Sequence, residues 1–81
     1  MKIEVRLFAV LRERIGKSEI PLEVPEGASC SEVFSLLENE QEGLKPLLER
    51  CALAVNGEYV NRCVSLSEGD EVAILPPVSG G

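Results

Sequence analysis

Polar and apolar residues alternate from Lys2 to Phe8, with Ile3, Val5 and Leu7 on one side and Lys2, Glu4, Arg6 and Phe8 on the other. That is the period of a half-buried strand. Ala9 to Ile15 has room for one or two helical turns before Gly16, and Ile20, Leu22 and Val24 then resume the alternation until Pro25 stops it. Pro25-Glu26-Gly27 signals a turn. Ser29, followed three residues later by Glu32, has the spacing of a capping box and predicts a main helix from Cys30 to about Asn39. Within it Val33, Phe34, Leu36 and Leu37 form an apolar stripe, and Glu32, Ser35, Glu38 and Glu40 face outward. A shorter helical piece is expected over Gly43 to Arg50, with Leu44, Leu47 and Leu48 inward and Pro46 near its start.

Ala52 to Val55 leads into Asn56-Gly57, a strong hairpin signal, and Glu58-Tyr59-Val60 leaves it. Ser67-Glu68-Gly69-Asp70 is a further turn before Glu71 to Leu75, where Val72 and Ile74 share the inner face. Pro76-Pro77 cannot continue a central ladder. The order of elements predicts an α+β roll in which one mixed sheet of four to five strands grips a main helix.

Composition narrows the function classes. The 81 residues make one small domain with no histidine or tryptophan and one tyrosine, which argues against self-contained acid–base or triad catalysis. Eight Lys and Arg stand against 14 Asp and Glu, a net charge of −6, which makes nucleic acid a poor partner. The acidic run between Lys17 and Lys45 suits either a solvated face or steering toward a basic partner. Cys30, Cys51 and Cys63 form neither a C-x-x-C pair nor a zinc-ligand spacing, so a reduced interior and no metal are expected. No stretch approaches the ~20 apolar residues of a membrane span, and a cytoplasmic location is the default expectation.

Pro76-Pro77-Val78-Ser79-Gly80-Gly81 is the most unusual segment. Two prolines stiffen the exit from the sheet, small residues follow, and six extended residues reach about 20 Å. Two glycines without β-carbons pass through a channel too narrow for other residues. Such a tail fits a chain whose own terminal carboxylate reacts inside another protein, although frayed terminal residues look the same by composition. Adjacent Asp70 and Glu71 are no acid–base pair, because neighbouring strand residues point to opposite faces.

The ending Gly69-Asp70-Glu71-Val72-Ala73-Ile74-Leu75-Pro76-Pro77-Val78-Ser79-Gly80-Gly81 resembles the small, sulfur-carrying subunits of molybdopterin synthase, the MoaD family. Phe8-Ala9 with Arg12-Glu13 and Gly16, and Ala54-Val55-Asn56-Gly57, resemble the same family's first loop and hairpin. The resemblance implies a ubiquitin-like β-grasp domain over 1–75 and a flexible Gly-Gly tail over 76–81. It implies a carrier with no tightly bound cofactor, in place of an enzyme. Gly81 would be adenylated with ATP by a ubiquitin-activating-type adenylyltransferase, converted to a thiocarboxylate with sulfur from a sulfurtransferase, and inserted into the large synthase subunit. There it would give sulfur to a pyranopterin precursor in molybdenum cofactor biosynthesis. A thiamine-pathway sulfur carrier and a ubiquitin-like protein modifier, joined through Gly81 to lysines, are the alternatives.

Strand parity adds a docking expectation. Leu75 must point away from Val72 and Ile74, and Phe8 lies outward on the first strand, so the two form an apolar patch if their strands are neighbours. Phe8 could instead turn into the core at the strand end. Cys30 at the helix start is a candidate for a lowered thiol pKa and a persulfide, whereas Cys51 and Cys63 read as small, partly buried hydrophobes.

Overall fold

The computed structural model describes residues 1–39 and 43–77. Eight elements follow in chain order: β1 (Lys2–Leu7), α1 (Ala9–Ile15), β2 (Glu19–Glu23), α2 (Cys30–Glu38), α3 (Leu44–Glu49), β3 (Ala52–Val55), β4 (Glu58–Val60) and β5 (Glu71–Leu75). They form a five-stranded mixed sheet in the order β2-β1-β5-β3-β4, the expected β-grasp arrangement. β1 and β5 run parallel at the centre, and every other pairing is antiparallel. β2 and β4 are the edges. Pro21 on β2 is tolerated there because an edge strand has one unpaired side.

Alternation places the core as the sequence predicts. Ile3, Val5, Leu7, Leu53, Val72 and Ile74 are buried on one sheet face against Cys30, Val33, Phe34 and Leu37 of α2 and Leu44 and Leu48 of α3. Burial of this apolar surface is the main stabilising term for so small a domain. The opposite sheet face carries Glu4, Arg6, Glu19 and Glu71, and none of the described helices covers it.

Three local expectations change. Ser29 is the N-cap of α2, but its side chain makes no capping bond, so the Ser29/Glu32 box does not form. The first-turn amides are satisfied from elsewhere: Cys30 N–H donates to Val64 O and Ser31 N–H to Arg62 O, both at 3.1 Å. A distant segment pairing with Ser29 through Ser65 takes over the role of the local cap. Leu36 is 39% exposed because it lies about 110° from the centre of the Cys30–Val33–Phe34–Leu37 stripe at 100° per residue. Cys63, expected to be partly buried, is exposed, whereas Leu47 is half-buried and packs against the core as expected. Glu40 lies outside the described residues.

Candidate docking face and tail exit

The parallel pairing of β1 with β5 decides the geometry at the tail exit. Its register is Val5 with Val72, Arg6 with Ala73 and Leu7 with Ile74, so Phe8 and Leu75 follow at the same end. Phe8 keeps an extended backbone, φ −128° and ψ 155°, and therefore points opposite to buried Leu7. It is 38% exposed and does not enter the core. The turn into α1 is made at Ala9, whose φ of 50° is left-handed. An L-residue there costs about 1 kcal/mol, which the anchoring of buried Leu11 offsets.

Leu75 is half-buried and pairs with Ala52 of β3. Pro76 beyond it is half-buried and Pro77 exposed. Val78, Ser79, Gly80 and Gly81 lie outside the described residues. Tyr59 joins this face without having been singled out from the sequence. Ala54 pairs with Ala73 on one side and with Tyr59 on the other, which puts the Tyr59 ring on the same face as Leu75, 77% exposed. The signal was available in the parity of the Asn56-Gly57 hairpin, but the face it serves depends on which strand flanks β3.

Charge lies toward the other end of the face. The Arg6 guanidinium sits 3.2 Å from a Glu19 carboxylate oxygen and 3.6 Å from one of Glu71. Asp70 accepts from Asn56 Nδ2 at 2.9 Å and from the Ser67 N–H at 2.7 Å, tying the hairpin to the turn before β5. Asp70 and Glu71 thus have separate structural partners and are not an acid–base pair.

The three free cysteines lie at different depths: Cys30 is buried, Cys51 half-buried and Cys63 exposed. Cys30 is fully buried, and burial, followed by the nearby Asp70 carboxylate, pushes its thiol pKa up from 9.0. The lowered pKa expected from the helix terminus is not found, because burial and the Asp70 carboxylate both disfavour the thiolate. Cys51 donates its thiol to Leu47 O at 3.2 Å and is likewise shifted up, by burial, with Arg62 opposing. Among the described residues no group of His, Cys, Asp or Glu could hold a metal ion. No helix among them is long and apolar enough to cross a membrane.

A model of the ThiS family matches residues 5–81, from β1 through the Gly-Gly end. The chain belongs to the ThiS family. This ThiS-family chain is 37% identical over 83 residues to the molybdopterin synthase sulfur carrier subunit of Chlamydomonas reinhardtii, with 100% of both chains covered. It is 33% identical over 92 residues to small archaeal modifier protein 3 of Haloferax volcanii, again with 100% of each covered. Among solved structures it is similar to a chain in the protein–protein complex of subunits 1 and 2 of molybdopterin-converting factor from Helicobacter pylori 26695. That likeness has 34% identity, 100% coverage of both chains and a TM-score of 0.71.

Proposed function

We propose that this ThiS-family chain is the sulfur-carrier subunit of a molybdopterin synthase, with residues 1–75 as the docking domain and 76–81 as the tail that carries the chemistry. The observation that supports it most is the apolar group Phe8, Tyr59 and Leu75 on the helix-free sheet face, at and beside the point where β5 passes into Pro76-Pro77. Apolar and aromatic anchors of this kind dominate interface energetics.

The Gly81 carboxylate attacks the α-phosphorus of ATP on an activating enzyme, giving an acyl-adenylate and pyrophosphate. A persulfide of a sulfurtransferase displaces AMP to give an acyl disulfide. A thiol reduces the S–S bond, leaving the Gly81 thiocarboxylate and a disulfide between the thiol and the donor. In the large subunit the thiocarboxylate sulfur bonds to a carbon of the pyranopterin precursor as that carbon's C–O bond breaks and the oxygen leaves; water then hydrolyses the acyl C–S bond of the resulting thioester, returning Gly81 to the carboxylate and leaving the sulfur on the precursor. The chain binds no cofactor tightly and contributes no acid–base group of its own. The catalytic site belongs to the large subunit, whose walls shield the thiocarboxylate from hydrolysis until its sulfur has been transferred.

The test is intact mass spectrometry after incubation with ATP, an adenylyltransferase of the ubiquitin-activating type and a persulfide donor. The expected result is a mass gain equal to exchange of one oxygen for sulfur, abolished by deleting Gly81. The similarity to a protein named a modifier favours one second reading, attachment of Gly81 to target lysines. Isopeptide adducts in place of the thiocarboxylate would select that reading, and a thiocarboxylate consumed only by a thiazole-forming enzyme would select the thiamine branch.

A further inference from the structure

One row of side chains crosses the open sheet face from strand to strand: Arg6 on β1, Ala73 on β5, Ala54 on β3 and Tyr59 on β4. The two inner members are methyl groups and the two outer ones are tall. Three strand spacings separate Arg6 from Tyr59, about 14 Å between backbones, leaving a shallow trough wide enough for one flat side chain. Ala54 is only 8% exposed, with the Ala73 methyl on one side and the Tyr59 ring on the other. The Arg6 wall is ordered in advance, because Glu19 on one neighbouring strand and Glu71 on the other take different guanidinium nitrogens. An ordered guanidinium loses little rotamer freedom on contact.

We propose that this trough seats an aromatic side chain projecting from the large synthase subunit, lying on Ala73 and Ala54 between the Arg6 guanidinium and the Tyr59 ring. The inference rests on the docking reading above and adds the chemistry of the partner's anchor. Three features on the face favour an aromatic occupant. A methyl floor takes no hydrogen bond, a cation stabilises a π-face, and a phenol ring offers an edge or a stacking surface. The trough is continuous with the Phe8–Leu75 patch, since Ala73 and Leu75 share one face of β5.

The experiment measures binding of the full chain to the large subunit, with thermal melting as a folding check. Ala73→Phe fills the trough from below and is expected to weaken binding at least about a hundredfold. Ala73→Leu carries the same test with a smaller side chain if the Phe variant does not fold. Arg6→Met keeps the length of the wall but removes its charge, and is expected to weaken binding about fivefold. Leu75→Glu serves as the reference for the docking face itself. Wild-type binding by Ala73→Phe alongside a failed Leu75→Glu overturns the trough but keeps the face. Wild-type binding by both overturns the face as well. Unchanged or tighter binding by Arg6→Met overturns the aromatic assignment.

Discussion

Arg62 holds the helical layer together from a segment without regular structure, and its removal tests that account. Its guanidinium Nη2 donates to Leu48 O at the end of α3 at 2.6 Å, and its guanidinium carbon lies 4.3 Å from the centroid of the Phe34 ring on α2. Its own carbonyl accepts from the Ser31 N–H and hydroxyl at the start of α2. Arg62→Ala leaves that carbonyl in place and removes only the side-chain contacts. Leu48 O keeps a bond from the Cys51 N–H at 3.1 Å, so no carbonyl is orphaned. The charge-assisted bond is then worth about 1 kcal/mol at a half-buried site, and the cation–π contact about 0.5–1 kcal/mol. The expected loss is about 2 kcal/mol. For a domain of this size that lowers Tm by about 8–16 °C. Urea unfolding of Arg62→Ala and Arg62→Lys measures it, with the lysine keeping about half because an ammonium cannot lie flat on the ring. Phe34→Leu in both backgrounds isolates the ring contact as a coupling of about 0.5–1 kcal/mol. A loss below about 0.5 kcal/mol for Arg62→Ala, or zero coupling, would refute the reasoning. Binding to the large subunit should be unchanged, because α2 and α3 pack on the face opposite Leu75.

The other predictions concern the tail end, the first turn and the thiols. Phe8→Glu and Leu75→Glu are expected to weaken binding to the large subunit by about a hundredfold or more while shifting Tm by less than about 3 °C; calorimetric titration and melting check both, and a large stability loss would place these side chains in the core. Ala9→Gly relieves the left-handed backbone and should stabilise by about 0.5 kcal/mol, whereas Ala9→Val should cost about 1–2 kcal/mol in urea unfolding. Burial raises the Cys30 and Cys51 thiols above 9.0, so above pH 9 the unfolded chain loses protons that the folded chain retains. Stability is therefore fully present below pH 9 and falls as pH rises through the folded values, and Cys30→Ala should flatten that fall. Under native conditions near pH 7.5 iodoacetamide should label exposed Cys63 first and Cys30 only on unfolding, read by peptide mass mapping.

The chain pattern by itself determined each strand and helix among the described residues to within a residue or two. Period-two alternation exists only where one sheet face is buried, as in Lys2 to Leu7 and Glu71 to Leu75. Punctuation by Gly16 and Asn56-Gly57 encodes left-handed backbone directly, with φ of 86° at Gly16, 50° at Asn56 and 87° at Gly57. It also gave the outward directions of Phe8 and Leu75, which are local consequences of parity. What it did not contain was pairing between distant segments. The failed Ser29 cap was replaced by carbonyls of Arg62 and Val64, some thirty residues on, because the folded chain holds those acceptors within hydrogen-bond distance of the orphan amides. Cys30 reads as a helix-terminal thiol in one dimension and is an inert core group in three, since desolvation depends on what packs around it. Tyr59 and Arg6 face a common trough only because β5 inserts between β1 and β3. Neighbours within a strand follow from a two-residue period, but neighbours across a sheet follow from strand order, and strand order is a property of the whole core.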